Sequence, residues 1–130
     1  MNRWTHLLTL VLGVAVAAQG LWAFASPRSF FDVLATFEPY NAHFVRDIGS
    51  AMFGVGVAAV VAAVQPRALV AGLSGLSAFQ VVHVVSHVID RDRGGNPGFD
   101  IPAFTILAVV TVAALVSELR AGAYVPEHRA

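Results

Sequence analysis

The chain has 130 residues, 57% hydrophobic and 12% charged, with eight acidic and eight basic side chains for a formal net charge of zero. Soluble domains carry about 25% charged residues, so this composition points to lipid as the surrounding solvent, and the lack of a basic run argues against a nucleic-acid partner. There is no cysteine, which excludes disulfides, thiolate metal sites and cysteine nucleophiles.

Four apolar stretches divide the chain, at 5–25, 42–64, 68–89 and 101–119. Each is near the ~20 residues that cross ~30 Å of hydrocarbon as a helix, and lipid tolerates no open sheet edge. The first stretch imitates a signal peptide, with Arg3 before it and Ala23-Phe24-Ala25 at its end, but its length favours a retained helix. Ser26-Pro27 ends it and opens a short helix with proline in the first position. Phe30, Val33, Leu34 and Phe37 fall on one side of that segment and Asp32 and Glu38 elsewhere, the pattern of a helix lying at the membrane surface. Pro39 stops it, and Asn41 is placed to cap the second spanning helix.

Gln65-Pro66-Arg67 makes a tight hairpin to the third span. The loop from Asp90 to Asp100 contains the turn-forming run Gly94-Gly95-Asn96-Pro97-Gly98. Asp100 is expected to cap the fourth helix, with Pro102 in its first turn. Trp4, His6, Trp22 and Tyr124 suit interfacial anchoring, Glu118 and Arg120 suit a solvated helix exit, and His128 falls in the tail. The expected fold is all-α: an integral membrane protein of one domain, 1–130, built as an antiparallel four-transmembrane-helix bundle with a short interfacial helix between the first two spans. Arg3, Arg67, Arg120 and Arg129 lie on one side. Arg28, Arg91 and Arg93 lie on the other, where Arg46 belongs to the second helix rather than a free loop. Four against three places both termini in the cytoplasm of a bacterial plasma membrane.

Two polar sets interrupt the apolar helices. His43, Arg46, Asp47 and Ser50 open the second span; Gln80, His83, His87 and Asp90 recur at helical spacing at the end of the third. Ionisable groups in hydrocarbon mark a functional site by default. The start of the second span faces the end of the third across a short hairpin. His43, Asp47 and Ser50 share a face that continues through Gly54, Ala58 and Ala62, small residues that let helices approach in lipid. Both sets are therefore expected to turn inward and meet beneath the non-cytoplasmic surface, where a buried Asp47 would raise the proton affinity of the histidines.

His83 and His87, at i and i+4, have metal-ligand spacing, with His43 as a third ligand and Asp47 or Asp90 as further candidates. Val84 stands where a His-Glu-x-x-His protease has its glutamate. A divalent metal is the first cofactor to weigh. Haem would need His43 and His83 to face each other across a wide gap, and a quinone would need an apolar cleft, with Phe44, Phe53, Phe79, Phe99 and Phe104 as lining candidates. The structural alternative is a hydrogen-bonded network across helices.

The runs His43-Phe44-Val45-Arg46-Asp47-Ile48-Gly49 and His83-Val84-Val85-Ser86-His87 resemble a set of small, generally uncharacterised four-helix membrane proteins of actinobacteria, and the layout is similar to the DoxX-like superfamily. That resemblance implies the four-helix fold and, through redox-associated members, slightly favours a redox setting. The leading reading is a non-enzymatic membrane protein whose His/Asp site binds a metal ion or small ligand or senses protons. An accessory subunit of a redox or transport complex is the second reading, and an enzyme acting on a lipid-soluble substrate the third. Beyond the bilayer, the partners expected are further copies of the chain or a larger membrane complex.

Overall fold

The computed structural model describes residues 3–123, which form helices and connecting turns with no strand among them. The helices are α1 (Arg3–Ala25), α2 (Pro27–Val33), α3 (Ala42–Val64), α4 (Leu69–Ile89, entered through a 3-10 turn at Pro66–Ala68) and α5 (Pro97–Ala123). Four of them, α1, α3, α4 with its entering turn, and α5, are long and apolar enough to cross a membrane. Tyr124, His128 and Arg129 lie outside the described residues.

The helix ends follow from their sequences. The Asn41 side-chain oxygen accepts from the backbone N–H groups of His43 and Phe44 at 3.0 and 3.1 Å, satisfying two donors that the first turn of α3 leaves without helical partners. Pro27 opens α2 in its first turn. That helix is shorter than the sequence suggests. It ends at Val33, and its expected stripe splits: Phe30 is buried, Val33 and Leu34 are exposed, and Phe37 sits in the following loop, while Phe31, outside that stripe, is buried as well. The last helix starts at Pro97 rather than at 101. Proline suits a first helical position because its missing N–H is one the helix end would leave unpaired.

Two helix pairs dominate the packing, α1 with α3 and α4 with α5, joined by a lesser α3–α4 seam. On α1 the buried positions are Thr5, Thr9, Gly13, Val16, Gly20 and Ala23; on α3 they include Val45, Gly49, Met52, Gly56, Ala59 and Ala63. Both sets step by three and four, one stripe of a helix. A methyl group built on Gly49 would stand 2.7 Å from the Gly20 carbonyl oxygen, and one on Gly13 would stand 3.0 Å from that of Gly56. The two backbones therefore touch at two levels seven residues apart on each helix, with numbering rising along one as it falls along the other. Small residues serve this purpose in lipid, where close packing rather than water exclusion drives helices together.

Val16, Met52, Ala59 and Leu76 form the central cluster, and Leu69, Leu73 and Ala114 a second one between α4 and α5. At the far end Ala23, Phe30, Phe31 and Val45 tie α2 to α1 and α3. The outward faces carry Leu7, Val11, Val14, Val82, Ile106, Val109 and Val116, an apolar surface that a soluble chain would bury.

Glu118 departs from the expected solvated exit, because it accepts a 2.6 Å hydrogen bond from the hydroxyl of the fully buried Thr5. This contact latches the start of α1 to the end of α5. His6 departs from pure surface anchoring in the same region, its Nδ1 lying 2.7 Å from the Ala63 carbonyl oxygen. Replacing Thr5 with valine keeps the shape and leaves the carboxylate without that donor. Thr5→Val is expected to lower stability by about 1–3 kcal/mol, read as an earlier unfolding midpoint in detergent.

Candidate functional site

The end of α4, the start of α5 and the two loops beside them build one cluster around His83 and His87. Four residues apart on α4, the two rings lie on one face with their Nε2 atoms 3.1 Å from each other. Phe104 on α5 stacks on His83 at 4.3 Å between ring centroids and contacts His87 at 4.7 Å. Phe79 packs on His83 from one turn below, and Phe37 meets His87 edge-on at 5.6 Å from the loop after α2.

Asp100 supplies the charge. Its Oδ2 stands 3.9 Å from Nδ1 of His87, with the two side chains only 17% and 12% exposed. The same oxygen accepts the Asn96 backbone N–H at 2.7 Å. Starting α5 at Pro97 puts Asp100 and Phe104, four residues apart, on one face toward α4.

A glycine loop closes the cluster. The Gly95 N–H donates to the Thr36 carbonyl oxygen at 3.3 Å, which ties the loop after α4 to the one carrying Phe37. Gly95 has φ +69°, and a methyl group there would meet the Phe37 ring at 2.9 Å and Asp100 Oδ2 at 3.0 Å. Both the left-handed backbone and the space demand glycine.

One of the two Nε2 atoms donates to the other across their 3.1 Å contact, and Nδ1 of His83 is buried without a hydrogen-bond partner. At 3.9 Å the Asp100 carboxylate stands beside Nδ1 of His87, beyond hydrogen-bond distance.

Of the eight residues singled out from the sequence, His83 and His87 come together and the others are placed elsewhere. Gln80 is buried on the same side of α4, one turn below His83, and the Ser77 hydroxyl beneath it is buried without a partner. Asp90 turns to Arg93 at 3.1 Å. The α3 set does not face the histidines. His43 and Asp47 pair with each other at 3.5 Å, their side chains 87% and 63% exposed. Ser50 donates to the Arg46 carbonyl oxygen, and Arg46 itself is exposed.

The expected meeting of the two polar sets therefore does not occur. The inward stripe of α3 is Gly49, Met52 and Gly56, whereas His43, Asp47, Ser50, Gly54 and Ala58 lie on the outer side. His43 is consequently not a third ligand to the His83–His87 pair and does not face His83 across a haem-sized gap. No group of three or more His, Asp or Glu side chains placed to hold a metal occurs among the described residues. Of the aromatic candidates, Phe79 and Phe104 contact His83, while Phe44, Phe53 and Phe99 are exposed.

Asp100 and Phe37 are the site residues that sequence reasoning missed. The signal for Asp100 was Asn96-Pro97, a cap residue followed by a first-turn proline, which sets the helix start early enough to aim Asp100 at α4. No family model, curated protein or solved structure matches the chain.

Proposed function

We propose that this is a small membrane protein whose His83–His87–Asp100 relay takes up and holds a proton near one face of the bilayer. In this reading α1, α3, α4 and α5 cross the membrane as an antiparallel bundle and α2 lies in the interface, its Arg28 and Asp32 outward and its phenylalanines inward. The arginine count puts both termini in the cytoplasm of a bacterial plasma membrane and the relay near the opposite face. The supporting observation is the 3.1 Å contact between the two Nε2 atoms, with a carboxylate at one end and an unpartnered nitrogen at the other.

Among metal, small ligand and proton, the donor set favours the proton. The two Nε2 atoms are already directed at one another. A metal held there would have two imidazoles and no third ligand among the described residues, whereas protein zinc sites supply three or four. A proton needs only an acceptor, which Nδ1 of His83 is in the tautomer whose Nε2–H donates to His87. Once charged, the pair is stabilised by Asp100 and by the negative face of the Phe104 ring. Because the rings touch, the pair accommodates one added proton and not two, since like charges at that distance repel strongly.

Histidine-selective 15N spectra of the protein in bilayers test this between about pH 4 and 9, where histidines in proteins titrate. The expected result is that His83 and His87 change together with a single proton taken up by the pair, and that Asp100→Asn scrambles the tautomer of His87. Two rings that respond independently, or a His87 tautomer indifferent to residue 100, would contradict the relay.

A further inference from the structure

The outer face of α3 is unlike the faces that α1 and α5 present. Those carry Leu7, Val11 and Val14, and Ile106, Val109, Val112 and Val116. The face of α3 that points away from α1 carries His43, Asp47, Ser50, Gly54, Val57 and Val61, all exposed and polar only in its first half, and a methyl group on Gly54 would touch nothing within 4 Å. Arg46 and Asp47 sit in the second turn of a helix long and apolar enough to span a membrane. Among the described residues Arg46 is in no ion pair, and Asp47 pairs with the exposed His43 alone. An arginine so near a helix end can reach the headgroups by snorkelling, but a carboxylate beside it is the kind of charge that is held by a partner or lies on a protein-facing surface.

The charges have a specific layout. At about 100° per residue, the line through His43, Ser50, Gly54 and Val61 runs down the middle of this face. Arg46 falls about 60° to one side and Asp47 about 40° to the other. The two edges therefore carry opposite charges at nearly the same depth. A two-fold axis along the membrane normal is the relation between two copies inserted with the same topology, and it sets each edge against the opposite edge of its mate. Each Arg46 then meets the partner subunit's Asp47, while Ser50 and Gly54 let the backbones approach.

We infer that a second copy of this chain docks on the outer face of α3, in a parallel two-fold pair closed by two Arg46–Asp47 ion pairs. A face made for an anionic lipid headgroup would not set a carboxylate beside its arginine. A face made for an unrelated helix has no need of opposite charges flanking its centre line.

The absence of native cysteine makes the test direct. Ser50→Cys and, as a control on an outer aliphatic face, Val109→Cys are each purified, placed in liposomes and oxidised. Ser50→Cys is expected to give a covalent dimer and Val109→Cys essentially none. Arg46→Asp or Asp47→Arg alone is expected to weaken association about tenfold, through like charges facing each other, and the double reversal to restore it. Equal cross-linking at residues 50 and 109 would overturn the interface, and failure of the double reversal to restore association would overturn the ion pairing. Ser50 is exposed, so the cross-linking arm stands whether or not a charge-reversed chain folds, and the unfolding midpoint of each variant identifies one that does not.

Discussion

Gly20→Leu is expected to separate α1 from α3 and abolish the folded state. A methyl group at residue 20 would already stand 2.6 Å from the Gly49 carbonyl oxygen and closer still to the backbone of Phe53. These are backbone atoms, which cannot swing aside as a flexible side-chain tip does. Overpacking in a well-fitted core typically costs about 1–3 kcal/mol and occasionally more; here Gly20→Ala is expected to reach the top of that range and Gly20→Leu to exceed it. Lipid offers no compensating hydrophobic drive to re-form the contact at a larger spacing. The contrasting substitution is Gly75→Ala on α4, where an added methyl group meets nothing within 4 Å. It is expected to be neutral or to stabilise by up to about 1 kcal/mol, because alanine is the better helix former. Unfolding midpoints of the three variants in mixed micelles check the order; similar midpoints for Gly20→Ala and Gly75→Ala would refute the backbone contact.

Asp100→Ala is expected to have the second largest effect. One carboxylate oxygen serves two roles, accepting the Asn96 N–H and standing beside His87. Its removal leaves the Asn96 N–H, at the entrance to α5, without that acceptor and His87 without its acidic neighbour. Hydrogen bonds to charged groups contribute about 1.5–3 kcal/mol, and a loss of that size is expected. Asp100→Asn keeps an oxygen for the Asn96 N–H and is expected to restore about half of it, while the altered His87 tautomer persists. Stability and the His87 signal thus part company in the asparagine variant. Hydrogen exchange at Gly95 offers a local readout: its N–H, bonded to Thr36, is expected to exchange faster in Asp100→Ala than in Asp100→Asn, because the loop loses its anchor at Asn96.

The four long apolar helices were legible because their length and composition match what crosses hydrocarbon, and Asn41 was legible as a cap because its side chain has one obvious task. Which way α3 faces was not. Its sequence carries two stripes of small residues, Gly49 with Gly56 and Ser50 with Gly54 and Ala58, and the polar groups on the second make it look like the inward one. The deciding clue lay on α1, where Gly13 and Gly20 are seven apart, as Gly49 and Gly56 are; matched intervals on two helices specify a mutual contact that neither specifies alone. The histidine pair was readable from its i, i+4 spacing. Its acidic neighbour was expected to be Asp47 or Asp90, but Asp47 lies on the outer side of α3 beside His43 and Asp90 sits at the end of α4 within reach of Arg93. Asp100 is brought back by the return of the chain, which only the turn geometry of residues 90–96 determines.

The order of the helices along the chain sets how long a loop each contact must close. The glycine notches of α1 are filled by α3, across the intervening α2. The helices α4 and α5, by contrast, are adjacent in sequence, so their contacts close short loops. Thr5 and Glu118 are 113 residues apart, so their hydrogen bond closes a long loop and carries a correspondingly larger chain-entropy cost.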